Sequence, residues 1–172
     1  MPVRMTTPES EIRRQLEQEV ERIGRAVERA LTVVGEKAVR HARSLPSPNA
    51  ADFPTYPKIP RHQPHYIDWT ANLRSSIGYV VIRDGHIVTE GGYRPTAGGK
   101  EGARTGKEYA RSLAAEFPRG YALVVTAGME YAGYVADKGY DVIDSAGDLA
   151  GRLADELLRK IARKGAGTDS HE

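Results

Sequence analysis

The chain contains no cysteine among its 172 residues. This absence excludes disulfide bonds, zinc sites built from thiolates and cysteine nucleophiles, and it leaves the redox compartment undecided. Long apolar runs are also missing, since no stretch approaches the roughly 20 residues needed to cross a bilayer. The residues after Met1–Met5 do not form the apolar segment of a signal peptide. We therefore expect a protein that is made in the cytoplasm and has no membrane partner.

Large aromatic residues other than tyrosine are scarce. Two Phe and one Trp stand beside nine Tyr, and the hydrophobic content of 40% predicts a modest core. Tyrosine suits surfaces that are apolar on one side and wet on the other. The net charge is only +2, which implies no overall attraction to nucleic acid or to anionic membranes. Basic residues do outnumber acidic ones, ten to six, over residues 58–119, so any basic surface is expected there.

Apolar residues recur every three or four positions from Ile12 to Ala38, between faces of Glu and Arg. This pattern predicts one amphipathic helix from about Pro8 to Arg43, on the order of 50 Å long. An apolar stripe of that length needs a partner along its whole course. Two interpretations stay open at this point: the helix packs along its own sheet, or part of its stripe packs on a neighbouring subunit.

Six prolines between Pro46 and Pro64 preclude a helix or a central strand. We predict that residues 46–67 form an extended, polyproline-like arm. The elements predicted after it are a helical turn with Trp69, Leu73 and Ile77 on one side, a hairpin of strands 79–83 and 86–90 around Asp84–Gly85, a helix at 107–117, a central strand at 121–127, a helix at 129–138, a strand at 140–143 and a last helix from about 145 to 164.

These elements predict a single α+β domain. A long N-terminal helix (1–45) and a C-terminal helix pack on a small, mainly antiparallel sheet of about four strands. The core is expected to span 68–164, and a disordered tail is expected over 165–172.

Residues 91–106 contain six glycines, and Glu101 is the one acidic residue among them. We interpret them as a mobile basic loop. Three roles stay open: contacts to phosphates without sequence readout, contacts to an acidic surface of a neighbouring subunit, or a solvated loop with no partner. The basic residues of this loop and its border are Arg94, Lys100, Arg104 and Lys107.

Partial matches to catalytic and ligand-binding motifs fail on spacing or on context. A phosphate-binding loop needs a second glycine and a hydroxyl side chain at fixed positions. A zinc site needs three or four ligands held by regular structure. A catalytic triad needs a base and an acid that orients it, beside the nucleophile. We therefore predict no enzyme activity, no cofactor and no metal site. The residues considered were Gly106 and Lys107 for phosphate, His62 and His65 for a metal, and Ser75, Ser76 and His86 for a nucleophile.

Two segments carry a family resemblance. Trp69–Ile77, with the sequence WTANLRSSI, resembles the (D)xTGxLRxSI motif of the bacteriophage tail-completion family, also called minor tail components or head–tail joining proteins. Met129–Gly139, with the sequence MEYAGYVADKG, resembles the second motif of that family, YAxYVExG. The order of elements also matches, over about Ile12–Ile161. Ala71 stands where the first motif usually has Gly, and Ala136–Asp137 replaces the Glu of the second.

The resemblance implies a structural virion protein whose α+β subunits form a ring of six or more copies at the phage neck, assembled in the host cytoplasm. The implied partners are further copies of the chain, the portal or connector protein on the head side, the tail tube or tail terminator on the tail side, and DNA that passes through the channel without sequence readout. The alternative is a non-specific nucleic-acid-binding module that uses the basic residues of 94–107. The predicted interface or channel residues are Trp69, Leu73, Tyr131, Tyr134, Arg94, Lys100, Arg104 and Lys107.

Overall fold

The computed structural model describes residues 8–46, 66–96 and 98–166. Helix α1 spans Glu9–Ala42, as the apolar period predicted. The elements that follow are α2 Asn72–Ser75, β1 Ile77–Arg83, β2 His86–Gly92, α3 Lys100–Ser112 with a 3-10 turn over Leu113–Glu116, β3 Tyr121–Ala127, α4 Ala132–Asp137 and α5 Asp144–Ala166. The predicted arm lies almost wholly outside the described residues. Of the predicted tail, Gly165 and Ala166 belong to α5 and the rest lies outside the described residues.

The three strands form an antiparallel sheet in the order β2–β1–β3, so the predicted α+β class is confirmed. Strand β1 is covered on both faces because its side chains alternate. Ile77, Tyr79 and Val81 face the core shared with α1 and α5, whereas Val80 and Ile82 face the core shared with α3. The domain therefore has a sheet between two helical layers.

Two details of the predicted sheet are wrong. Among the described residues the sheet has three strands, since Tyr140–Ile143 forms no ladder and instead packs Val142 into a small cluster with Tyr66. The central strand is β1, and β3 lies at the edge. The continuous apolar run of β3 is explained by its two covered faces, because helices pack on both sides of this strand despite its edge position.

Helix α5 runs antiparallel to α1. The Ser145 hydroxyl at its first turn lies 2.8 Å from His41 Nε2 near the end of α1. The Asp141 carboxylate accepts a hydrogen bond from the backbone N–H of Ser145 at 3.2 Å. These contacts fix the start of α5 beside the end of α1, and the two helices then pack against each other along a common apolar seam.

The predicted mobile loop 91–106 is wrong: β2 continues to Gly92, and α3 begins at Lys100. The glycines at four-residue spacing form a packing face rather than a flexible segment. A Cβ on Gly102 would lie 2.0 Å from the carbonyl oxygen of Asn72, and a Cβ on Gly106 would lie 2.2 Å from that of Ser76. Only glycine lets α3 approach the backbone of α2 this closely.

Ala71 has φ of 57° and ψ of 9°, a left-handed conformation that glycine adopts more readily than alanine. This is the position where the tail-completion motif usually has Gly. We predict that Ala71→Gly stabilises the protein by about 1 kcal/mol, since it relieves the crowding of Cβ at positive φ. Urea unfolding measures the change. A loss of stability would contradict the left-handed assignment, because glycine otherwise costs free energy through the unfolded chain.

Candidate interaction surfaces

The first third of α1 projects beyond the rest of the domain. Leu157 and Ile161 of α5 lie beside Ala30 and Ala26 of α1. Extending this antiparallel pairing at about 1.5 Å per residue places the end of α5 opposite about residue 21, so residues 9–20 extend some 18 Å further. All buried residues of α1 lie from Gly24 onward. This projecting helical segment is therefore outside the core of its own subunit.

The projecting segment carries an apolar stripe that no described residue buries. Leu16 is 61% exposed and Val20 is 64% exposed, and Ile23 is exposed on the same face. Their spacing of four and three places them in one row. Ion pairs between neighbouring turns, such as Arg13–Glu9 and Arg22–Glu19, flank this row without covering it. We call Leu16, Val20 and Ile23 the α1 stripe.

The α1 stripe continues into an apolar groove between α1 and α5. Ala26 and Ala30 form one wall, Leu157 and Ile161 form the other, and the open volume is about 470 Å³. The rim is basic, with Lys160, Arg163 and Lys164. A contiguous apolar path thus runs from the projecting turns of α1 onto the body of the domain.

The two segments that carry the family resemblance pack against each other. Leu73 from the first segment is 1% exposed, and it lies in a cluster with Met129 and Val135 from the second. Burial raises the pKa of Tyr131 in the second segment, and the nearby Thr70 side chain in the first acts to lower it. Segments 69–77 and 129–139, 52 or more residues apart in sequence, therefore form one unit of the fold.

An exposed aromatic surface lies over this unit. Trp69 is 48% exposed, Tyr134 is 65% exposed, and Tyr131 is also exposed. Tyr131 lies near the side chain of Thr70, the residue next to Trp69, and Tyr134 follows Tyr131 by three residues, about one helical turn. Lys138 Nζ lies 5.0 Å from the centre of the Tyr134 ring. We call Trp69, Tyr131 and Tyr134 the aromatic surface; among the predicted interface residues, only Leu73 is a core residue and presents no surface.

The turn at Trp69 also corrects the predicted helical path. Residues 69–70 form a turn and α2 begins only at Asn72, so Trp69 does not share a buried side with Leu73 and Ile77. We predict that Trp69→Ala lowers the free energy of unfolding by less than about 1 kcal/mol, as expected for a surface position. The matched change Leu73→Ala should cost about 2–5 kcal/mol. Chemical denaturation measures the free energy of unfolding of both variants. Equal losses of stability would show that Trp69 is a core residue.

The four predicted basic residues do not form one patch. Arg104 lies on α3 and pairs with Glu108 at 3.0 Å, and Lys107 pairs with Glu90 of β2 at 2.5 Å. Burial acts to raise the pKa of Glu90, but hydrogen bonds from Lys107 and Arg111 outweigh it, and the pKa is lowered. Lys100 is the first residue of α3, and only Arg94 lies in a connecting segment. Half of the predicted basic set is thus neutralised within the subunit.

No protein-family model matches the chain, and no curated protein or solved structure matches it significantly. Within residues 8–46, 66–96 and 98–166, no helix has the length and apolar composition to cross a membrane. In the same part of the chain, no three His, Cys, Asp or Glu side chains group as metal ligands do. His62 and His65 lie outside the described residues.

Proposed function

We propose that this chain is a structural, non-enzymatic subunit that assembles with copies of itself into a ring. The observation that carries the proposal is the α1 stripe, an apolar row on a helix that extends past its own domain. Exposed apolar rows of this kind mark interaction sites, because leaving them in water costs free energy. Of the two interpretations of the long helix, the projecting turns favour packing on a neighbouring subunit.

A ring is favoured over a symmetric dimer by the positions of the two surfaces. A closed ring needs two unlike patches on each subunit, whereas a two-fold dimer uses one patch twice. The α1 stripe lies near the start of α1, and the aromatic surface lies by the cluster that includes Leu45, just after the end of α1. At about 1.5 Å per residue, the separation along α1 is on the order of 40 Å.

The proposed place of the ring is the neck of a phage particle, between the portal or connector and the tail. This part of the proposal comes from the resemblance of segments 69–77 and 129–139 to the tail-completion family, and their mutual packing supports treating them as one motif. In that setting the subunit would complete the tail, meet the head connector and line a channel through which DNA passes without sequence readout.

The nucleic-acid-binding alternative is less favoured. It depends on a mobile basic loop, and residues 100–107 are helical with Arg104 and Lys107 already paired to carboxylates. Neutralised cations release fewer counterions from DNA and contribute little to binding. The ion pairs of Arg104 and Lys107 therefore remove half of the four charges on which that alternative rests.

Electron microscopy of the purified full chain tests the proposal directly. We expect closed annular particles of uniform size with a central opening. Open filaments would indicate head-to-tail contacts that do not close, and would contradict the ring. A field of single domains at high protein concentration would contradict self-assembly altogether.

A further inference from the structure

An arginine-lined pocket lies at the end of α1, and none of its lining residues belongs to the α1 stripe or to the aromatic surface. Arg40 and Arg43 come from the last turn of α1 and the residue after it, and Arg94 comes from the segment after β2. The open volume is about 420 Å³. The remaining lining residues are Glu36, Val39, Ser44 and Gly92.

The backbone after β2 places Arg94 in this pocket. Gly92 and Tyr93 have consecutive positive φ values of 81° and 40°, which turn the chain back toward α1. Tyr93 is held in place by its N–H, which donates to the carbonyl of Ile77 at 3.0 Å. The Arg43 Nη2 then donates to the carbonyl of Arg94 at 2.9 Å and to the Thr96 hydroxyl at 2.9 Å. Two distant segments are thereby locked around one pocket.

The positive charge of the pocket is not compensated within the described part of the chain. None of Arg40, Arg43 and Arg94 forms an ion pair with a carboxylate there, and the Nη1 atom of Arg43 is buried without a hydrogen-bond partner. Burial lowers the pKa of Arg43, and the nearby charges of Arg74 and Arg94 lower it further. Three guanidinium groups face one carboxylate, that of Glu36, which accepts from the Tyr79 hydroxyl at 3.1 Å.

We propose that this pocket binds a phosphate group between the side chains of Arg40, Arg43 and Arg94. The planar forked guanidinium matches phosphate oxygens with paired hydrogen bonds, and three of them suit a group that carries more than one negative charge. The negative end of the α1 dipole accounts for a cation on its last turn, but it does not account for Arg94, which lies on another segment. This inference stands independently of the proposed ring.

The test is a titration of the full chain with inorganic phosphate at constant ionic strength, followed by the amide NMR signals of Gly92 and Arg94. We expect saturable shifts of these signals. The double variant Arg40→Gln/Arg94→Gln should weaken binding at least about tenfold, because it removes two charge-assisted contacts. Both side chains are exposed, and the bond from Arg43 to the Arg94 carbonyl is kept, so the fold is retained.

Two further variants sharpen the test. Arg29→Gln removes an exposed arginine of the same helix outside the pocket and should leave phosphate binding unchanged. Glu36→Gln removes the one carboxylate of the pocket and should tighten binding about threefold or more, since it lifts a repulsion. A gain of affinity cannot arise from a damaged fold, so this variant separates binding from stability.

Dimethyl phosphate and acetate complete the experiment. If dimethyl phosphate binds as tightly as inorganic phosphate, the phosphate of the natural ligand belongs to a phosphodiester backbone. If it binds much more weakly, the natural ligand carries a free or terminal phosphate. Acetate binding equal to phosphate binding overturns the proposal. The absence of saturable shifts, or an unchanged affinity in the Arg40→Gln/Arg94→Gln variant, overturns it as well.

Discussion

Replacing Gly106 with alanine is expected to lower the free energy of unfolding by about 3 kcal/mol, the upper range for overpacking a filled interior. A Cβ at this position would lie 2.2 Å from the Ser76 carbonyl oxygen and 2.7 Å from Ser76 Cα, and both are backbone atoms that cannot swing away. Alanine normally favours a helix over glycine by roughly 1 kcal/mol, so the expected loss goes against intrinsic propensity. Chemical denaturation of the purified variant measures it.

Gly151→Ala is the matched control for this change. Gly151 lies inside α5, and a Cβ there would have no atom within 4 Å. We expect a gain of about 0.5–1 kcal/mol from the propensity term alone. If Gly106→Ala were as stable as Gly151→Ala, α3 would not pack against the backbone of α2. Residues 100–112 would then resemble the mobile loop that the glycine content suggests.

The second large effect is expected at the α1 stripe. Leu16→Glu/Val20→Glu places two charges in the proposed contact, where burial of an unpaired charge costs several kcal/mol per group. We expect the assembled form to dissociate to monomers, while the melting of the monomer changes little because both positions are exposed and outside the core. Sedimentation velocity reports the size distribution, and circular dichroism reports the fold.

A charge change on the opposite face of the same helical segment provides the control. Gln18→Glu adds a negative charge at an exposed position that lies off the stripe. Assembly should survive this change. If Gln18→Glu and Leu16→Glu/Val20→Glu dissociated the particle equally, general charge repulsion rather than the apolar stripe would explain the loss.

The helices were the part of the fold most accessible from sequence. The three-to-four period of α1 predicted a helix from Pro8 to Arg43, and the helix observed spans Glu9–Ala42. The hairpin at Asp84–Gly85 was predicted correctly because both residues adopt positive φ, which this dipeptide favours. These features depend on local preferences, which the sequence carries within a few residues.

The wrong predictions concern segments whose conformation is decided by tertiary contacts rather than by local sequence preferences. Six glycines in residues 91–106 indicate a flexible loop when taken alone, yet Gly102 and Gly106 are selected by the close approach of another backbone. Trp69 fits the spacing of Leu73 and Ile77, but the left-handed Ala71 interrupts the helical path between them. Neither the close packing of these glycines nor the left-handed conformation of Ala71 leaves a signal in the local pattern of hydrophobic residues.

The candidate surfaces were predicted in part. The length of the α1 pattern indicated a stripe in need of a partner, but not that Leu16 and Val20 would be the exposed portion, since this depends on where α5 ends. Tyr131 and Tyr134 were named from the family motif, and both are exposed. Arg40 and Arg43 were not singled out, because their meeting with Arg94 depends on the turn at Gly92 and Tyr93.

The central claim is that copies of this chain assemble through the α1 stripe. Light scattering of the purified full chain, over a wide range of concentrations and beside a variant that begins at Gly24, tests it most directly. The account predicts a discrete mass that is an integer multiple of 18.8 kDa for the full chain, and a monomer for the shortened one. A full chain that stays monomeric at every concentration, or a shortened chain that assembles equally well, would contradict it.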